Sequence, residues 1–215
     1  KEPERRYETA ADLSDDLHRY LRGETVSAAS PHWSERLRRW TRRFPAAASR
    51  LAGVFAAATI FETRHLLAGV DDVSHHIEVM TILGIWTVVI ALFQFLTRNP
   101  QVARVLEHFW CLTDVLFLTT LLLNAQETGD LLGPLVVGYP MIVVSSGMFF
   151  NVRVVVGSTI FSLLGYLVIW IWHPREPEVP LYGFIFLAVL GILGLVTAHQ
   201  VHRAKVLSRY YDTRG

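Results

Sequence analysis

Residues 152–172, VRVVVGSTIFSLLGYLVIWIW, decide the fold class of this chain. Apart from Arg153, the stretch holds no charged side chain. About 20 apolar residues are what an α-helix needs to cross the hydrocarbon core of a bilayer. Inside lipid, a segment of this kind satisfies all its backbone N–H and C=O groups only as a helix. The stretch therefore predicts a membrane-spanning helix.

Five further apolar segments lie along the chain, at residues 46–67, 78–97, 105–124, 131–150 and 181–201. The first is the weakest, because Arg50, Glu62 and Arg64 interrupt its ends. A hydrophobic fraction of 52% and a mean hydropathy of +0.34 are typical of a polytopic membrane protein. We therefore predict an all-α fold, a polytopic membrane helical bundle of about six transmembrane helices within residues 46–202.

The charged residues between the segments are distributed asymmetrically, although the formal net charge is only +1. Basic residues flank one set of segment ends: Arg36, Arg38, Arg39, Arg42, Arg43, Arg98, Arg104, Arg153, Arg203, Lys205 and Arg209. The opposite loops are mainly acidic: Asp71, Asp72, Glu127, Asp130, Glu176 and Glu178. The positive-inside rule then predicts a multi-pass protein of the plasma (inner) membrane with both termini in the cytoplasm, 203–215 being a cytoplasmic tail. Basic blocks beside apolar segments indicate membrane flanks and no nucleic-acid partner.

Residues 30–45 are predicted to form a basic amphipathic juxtamembrane helix, which Ser30 and Pro31 start. Its aromatic stripe includes Trp33 and Trp40, and its other faces carry basic side chains. The expected interface anchors are Trp33, Trp40, Arg38, Arg39, Arg42 and Arg43. Such a helix suits the headgroup region of a bilayer. The alternative is a plain positive flank with no separate role.

Residues 1–29 are polar and predict a short soluble helix. Thr9 and Asp12 have the spacing of a capping box, and Leu13, Leu17 and Leu21 follow on one face. A helix this short is marginal alone in water, so the apolar face needs a partner. We expect this segment to be the end of a domain that precedes it.

Glu2-Pro3-Glu4-Arg5-Arg6-Tyr7 resembles the signature that closes the C-lobe of eukaryotic-like serine/threonine protein kinases. Residues 10–26 are similar to the last helix of that lobe in bacterial members. The membrane part resembles the six-helix C-terminal domain of some of these kinases, at residues 114–116, 133–140, 145–147, 199–203 and 207–211. Glu2 departs from the family, which usually has Asp there.

The resemblance implies that the parent protein transfers the ATP γ-phosphoryl group to serine or threonine of protein substrates, with Mg²⁺. Its kinase domain would lie upstream in the same chain, and Arg6 would pair with the glutamate of an Ala-Pro-Glu motif there. The Gly-rich loop, strand lysine, His-Arg-Asp and Asp-Phe-Gly motifs are absent from these residues. The fragment therefore has no catalytic residues and no cofactor of its own; it is not itself a kinase. A homodimer is compatible with a signalling kinase, but no interface is indicated.

Asp114 is the candidate intramembrane polar site, because an acidic residue within a span is expensive and usually turned inward or paired. It could bind a ligand, an ion or a proton, or it could only hydrogen-bond to a neighbouring helix. His65, His75 and His76 lie in or near the first external loop, and His173 lies in the last. They could bind a transition metal or report pH, but their spacing indicates no ligand set, so solvated loop residues with no metal site are expected.

Segment 131–150 carries Pro134 and Pro140, which bend a helix, and Gly133, Gly138 and Gly147, which permit close approach. These residues predict either a kinked helix at the centre of the bundle or close helix packing. Glycines at Gly183, Gly191 and Gly194 predict close helix packing. Two rival functions remain from the sequence. One is a non-enzymatic membrane sensor or scaffold, and the other is a transporter subunit, which would need several inward polar residues at mid-membrane depth.

Overall fold

The computed structural model describes residues 7, 9–22, 33–68, 73–97, 99–124, 135–172 and 180–212. The regular elements within these ranges are all helical, which confirms the all-α class. The chain divides into two units, Lys1–Phe44 and Pro45–Gly215. The first contains α1 (Ala10–Leu21) and α2 (Trp33–Arg43). The second contains α3 (Pro45–Ala68), α4 (Val73–Leu96), α5 (Pro100–Asn124), α6 (Gly138–Ser146), a 3-10 turn (Gly147–Phe149), α7 (Val152–Trp172) and α8 (Pro180–Asp212).

The start of α1 confirms the predicted capping box. The Thr9 backbone N–H donates to Asp12 Oδ2 at 3.0 Å, and the Asp12 N–H donates to Thr9 Oγ1 at 3.2 Å. Tyr7 donates its hydroxyl hydrogen to Asp16 Oδ2 at 3.1 Å, and this hydrogen bond raises the pKa of Tyr7 above its ordinary value. Leu13, Leu17 and Leu21 are exposed, so the apolar face of α1 has no cover among the described residues.

Four described helices are long and apolar enough to cross a bilayer: α4, the Val105–Asn124 part of α5, α7 and the Tyr182–Tyr210 part of α8. The number rises to five if α2 and α3 together form one broken span. This supports a multi-pass membrane protein. The predicted number of six is not confirmed, because neither α3 alone nor α6 meets the same length and hydropathy requirements.

Several helix boundaries differ from the prediction. Helix α4 begins at Val73 instead of 78, and α5 begins at Pro100 instead of 105. Proline is favoured in a first helical turn, and the Asn99 carbonyl accepts from the Ala103 N–H at 3.0 Å, so α5 extends beyond its apolar core. Helix α8 continues as far as Asp212, in agreement with the expectation that the last segment remains helical beyond residue 203.

The predicted segment 131–150 is not one described helix. Residues 131–134 lie outside the described ranges, and α6 covers only Gly138–Ser146 before the 3-10 turn. Phe150 then adopts a left-handed conformation with φ 50°, which a bulky residue rarely does. This residue ends the turn and allows α7 to start at Val152.

Helix α6 lies at the centre of the second unit. It packs against α3, α5, α7 and α8, while α7 packs against both α5 and α8. A Cβ atom on Gly138 of α6 would lie only 2.8 Å from Leu118 Cδ2 of α5, so this glycine allows the two helices to approach closely. Tyr139 of α6 is buried, and its hydroxyl lies 2.8 Å from Thr119 Oγ1 of α5. The short helix therefore fixes the arrangement of its longer neighbours.

The glycines of α8 differ in their surroundings. A Cβ atom on Gly194 would overlap Thr159 of α7, and one on Gly183 would lie 3.2 Å from the Trp170 ring. The predicted packing role is confirmed at these two positions. It is wrong for Gly191, where an added Cβ would meet no atom within 4 Å in the part of the chain that the structure describes.

Candidate functional site

Asp114 lies on α5 and joins three helices of the second unit through its carboxylate. Oδ2 accepts a hydrogen bond from Arg50 Nε of α3 at 2.5 Å, and Oδ1 accepts one from Trp86 Nε1 of α4 at 3.0 Å. The side chain of Arg50 is 3% exposed and that of Asp114 is 1% exposed. The two residues form a buried ion pair between α3 and α5. An unpaired charge at this depth would be costly, so each residue makes the other tolerable.

The guanidinium of Arg50 is held by four further groups. Nη1 donates to the Ala46 carbonyl at 2.9 Å, and Nη2 lies 3.7 Å from Cys111 Sγ. The Trp110 and Phe149 rings flank the guanidinium, with centroids 4.9 and 5.1 Å from Cζ. Contacts of this kind between a cation and an aromatic ring contribute about 2 kcal/mol or more when they are desolvated.

The 3-10 turn after α6 supplies Phe149 to this arrangement. Phe149 also packs against Trp110, with ring centroids 5.8 Å apart, and Trp110 stacks on Phe93 of α4 at 5.6 Å. The left-handed Phe150 follows directly. Residues in sparsely populated backbone conformations cluster at functional sites in proteins.

A cavity of about 200 Å³ lies beside the ion pair, between α3, α5 and α6. Arg50, Asp114 and Trp86 line it, together with Ser49 and Ser145. The remaining lining is apolar or glycine: Gly53, Val54, Ala56, Ala57, Ile60, Leu118, Leu121, Leu135, Val137, Gly138, Met141 and Ile142. The arrangement is therefore a small apolar chamber with one polar end, which can bind an apolar group and offer it hydrogen bonds.

The sequence singled out Asp114 but missed its partner. Arg50 lies near the start of the first apolar segment and was interpreted only as a charge that weakens it. A usable signal was present, because a basic residue in one predicted span and an acidic residue in another are each expensive unless they pair. The structural alternative for Asp114 is seen, since the residue bonds to two neighbouring helices. Asp114 also lines the cavity, and a ligand, ion or proton site there stays a prediction.

The predicted interface residues all lie on α2. Trp33 and the four arginines Arg38, Arg39, Arg42 and Arg43 are exposed, whereas Trp40 is half-buried. Trp40 packs against Phe44 with ring centroids 6.3 Å apart, and the Arg43 guanidinium lies 5.3 Å from the Phe44 centroid. An exposed basic surface of this kind remains consistent with the predicted interfacial helix. Arg6 lies outside the described residues.

The histidines were predicted to be solvated loop residues, but the structure places the described ones on helices. His65 is on α3, and His75 and His76 are on the first turn of α4, because α4 starts earlier than expected. The His65 and His76 rings stack with centroids 4.0 Å apart, and His76 Nε2 lies 3.3 Å from Glu62 Oε2. No group of three or more metal-binding side chains occurs among the residues that the structure describes. His173 lies outside those residues.

The chain was compared with protein-family models, with curated proteins and with solved structures, and none of them matches it.

Proposed function

We propose that this chain is the membrane-anchoring and sensory C-terminal region of a bacterial eukaryotic-like serine/threonine protein kinase. Support for the kinase origin is the resemblance of residues 2–26 to the end of a kinase C-lobe. The parent protein would transfer the ATP γ-phosphoryl group to protein substrates with Mg²⁺. Its nucleotide and metal would be held by residues upstream of this chain.

The proposed topology has six transmembrane helices in the plasma (inner) membrane, with both termini in the cytoplasm. In this arrangement the six spans are α4, α5, α7 and α8, together with α3 and the segment that contains α6. The charge asymmetry of the loops supports the orientation, and an even number of spans is needed for both termini to share one side. Helix α2 would then lie in the inner headgroup region, with its exposed arginines near anionic lipids.

The observation that carries the sensory role is the cavity beside the Arg50–Asp114 pair. An ion pair that only held helices together would need no open space beside it. Here both charged side chains line a cavity, so a bound molecule would contact the residues that join α3, α4 and α5. A molecule that binds one arrangement of these helices more tightly than another shifts their equilibrium toward it. Arg50 is six residues from Phe44 in sequence, so a change at α3 has a short path along the chain to α2.

The test uses the native polypeptide that carries this segment, reconstituted in lipid nanodiscs with ATP and Mg²⁺. Phosphoryl transfer to a protein substrate is compared with that of a chimera in which residues 45–212 are replaced by one unrelated span. We expect the chimera to remain in the membrane and to lose regulation of phosphoryl transfer by membrane composition. Unchanged regulation would reduce the six helices to an anchor, and no phosphoryl transfer by the native polypeptide would remove the kinase assignment.

A non-enzymatic membrane sensor or scaffold is the second candidate. The observation in its favour is that the ion pair and the cavity are complete within α3 to α6 and need no kinase domain. The transporter alternative is less well supported, because both oxygens of Asp114 are engaged by Arg50 and Trp86. The mass and N-terminal sequence of the native polypeptide separate the first two candidates. A Gly-rich loop, His-Arg-Asp and Asp-Phe-Gly upstream would favour the kinase.

A further inference from the structure

The cavity runs along the helices from a closed polar end to an open apolar end. On α5 it extends from Asp114 to Leu121, a length of about 10 Å at about 1.5 Å per residue. On α3 it extends in the same direction, from Arg50 to Ile60. Arg50, Asp114 and Ser145 are all buried, so the end beside the ion pair is closed.

The opening lies on the outer surface of the bundle, between α3 and the start of α6. The exposed residues of the lining are Ala56, Ile60 (38% exposed), Val137 (53%) and Met141 (59%). All four are apolar, and neighbouring helices of the same bundle are long and apolar enough to span a membrane. An apolar opening on such a surface faces lipid, so a ligand would enter from the bilayer.

The volume limits how much of a ligand can enter. An apolar cavity of about 150 Å³ holds one benzene molecule, whereas pockets for whole drug-sized ligands measure about 300–1,000 Å³. At about 200 Å³, this cavity admits one six-membered ring with small substituents. The rest of a larger molecule would remain outside the opening, among the lipid chains.

The polar end limits the charge of that ring. Among the described residues, the Arg50 guanidinium makes three hydrogen bonds, to Asp114, Ala46 and Cys111, and it has five N–H donors. Donors therefore remain for a ligand acceptor. Asp114 already balances the charge of Arg50, so a carboxylate or phosphate would enter as an uncompensated buried charge. An uncharged carbonyl oxygen accepts a hydrogen bond from Arg50 and adds no net charge to the cavity.

We propose that this cavity binds the uncharged, carbonyl-bearing ring of a membrane-dissolved amphiphile, a quinone-type ring on an apolar tail. The ring enters from the lipid between α3 and α6, and a carbonyl oxygen accepts a hydrogen bond from Arg50. The apolar tail stays in the bilayer beyond Ile60 and Met141. This inference rests on the proposed function, because the ring compound would be the signal that the membrane domain senses.

The glycines of the bundle provide a matched pair of variants for the test. Gly53 of α3 lines the cavity, and a Cβ atom added to it would meet no atom of the described residues within 4 Å. Gly84 of α4 has the same open surroundings but does not line the cavity. Gly53→Leu therefore fills the cavity, whereas Gly84→Leu makes the same chemical change elsewhere. Ile60→Trp, at the opening, gives a second way to obstruct entry.

The experiment is photo-crosslinking of the full 215-residue chain in nanodiscs of phosphatidylethanolamine and phosphatidylglycerol. The probe is an azido-benzoquinone with a decyl tail, and labelled peptides are mapped by mass spectrometry. We expect the probe to label the cavity wall, and we expect an excess of unlabelled decyl-benzoquinone to prevent this labelling. Labelling should fall about tenfold or more in Gly53→Leu and Ile60→Trp, because the ring loses its burial, and should be unchanged in Gly84→Leu. An azidobenzene with the same tail should label about tenfold more weakly, because it cannot accept from the charged guanidinium.

Equal labelling of wild type and Gly53→Leu would overturn the inference, as would equal competition by decane, which would identify a lipid chain as the occupant. SDS titration of each variant shows whether it is folded. If Gly53→Leu does not fold, the labelling of Ile60→Trp decides whether the cavity binds the ring. The crosslinking result is independent of phosphoryl transfer. Ring binding without any effect on phosphoryl transfer would leave this inference in place and remove the proposed sensory role in a kinase. Regulated phosphoryl transfer without ring binding would leave the proposed sensory role in place and overturn this inference.

Discussion

Asp114→Asn tests whether the centre of the bundle is a true ion pair. The substitution keeps the size of the side chain and an acceptor for Trp86 Nε1, but it leaves the Arg50 guanidinium buried without a counter-charge. Removing one partner of a buried ion pair costs about 3–5 kcal/mol. If the contact were only an interhelical hydrogen bond in a membrane, the cost would average about 0.6 kcal/mol and reach about 1.7 kcal/mol at most. We therefore expect a loss of about 3–5 kcal/mol in the free energy of unfolding.

The assay is SDS titration of the protein in detergent micelles, followed by tryptophan fluorescence and circular dichroism. Arg50→Met, Asp114→Asn and the double variant complete a double-mutant cycle, and the double variant should regain about 2 kcal/mol or more relative to the sum of the single changes. Glu62→Gln is the matched control, because Glu62 is half exposed beside His76 and its pairing is worth at most about 1 kcal/mol. A loss below about 1 kcal/mol for Asp114→Asn, or additive single variants, would refute the reasoning.

Three further predictions concern packing, backbone and topology. Gly194→Leu should lower the free energy of unfolding by about 1–3 kcal/mol because its Cβ overlaps a neighbouring helix, whereas Gly191→Leu should leave it within about 0.5 kcal/mol in the same SDS titration. Phe150→Gly should raise it by about 1 kcal/mol or less, because glycine removes the penalty of φ 50°; a decrease would contradict this. A cysteine at Arg98 should react with a membrane-impermeant maleimide only from the cytoplasmic side, and one at Asp71 only from outside, the native cysteine being buried. Labelling of both from one side would contradict the topology.

The apolar helices were predictable because their signal is local. A run of about 20 apolar residues specifies a helix in lipid whatever surrounds it, and residues 152–172 form α7 with the bounds expected. The ends were less predictable, because Pro100 and the polar first turn of α4 extend their helices beyond the apolar core. Segment 131–150 differs from the prediction within its bounds. Its end at Phe150 agrees with the prediction, but the 3-10 turn at Gly147–Phe149 leaves only Gly138–Ser146 as a described α-helix before it. Hydropathy alone does not distinguish a 3-10 turn from a further turn of α-helix.

The candidate site was predictable only in part. Asp114 was identifiable because a single carboxylate among apolar residues is costly wherever its partner lies. Its pairing with Arg50 joins positions 64 residues apart, which no periodicity within one helix reveals. The cavity depends on small side chains at Gly53, Ala56 and Ala57 facing α6, and such an arrangement needs the relative positions of the helices. The sequence therefore identified Asp114, whereas its partner Arg50 and the cavity depend on the tertiary packing of the helices.

The most direct measurement is the response of phosphoryl transfer to the ring compound in the native polypeptide. The protein is reconstituted in nanodiscs with ATP, Mg²⁺ and a protein substrate, and decyl-benzoquinone is added over a range of concentrations. We expect the rate to change with the compound in wild type and in Gly84→Leu, and not in Gly53→Leu, whose added side chain occupies the cavity. The same response in Gly53→Leu as in wild type would contradict a sensory site beside the Arg50–Asp114 pair.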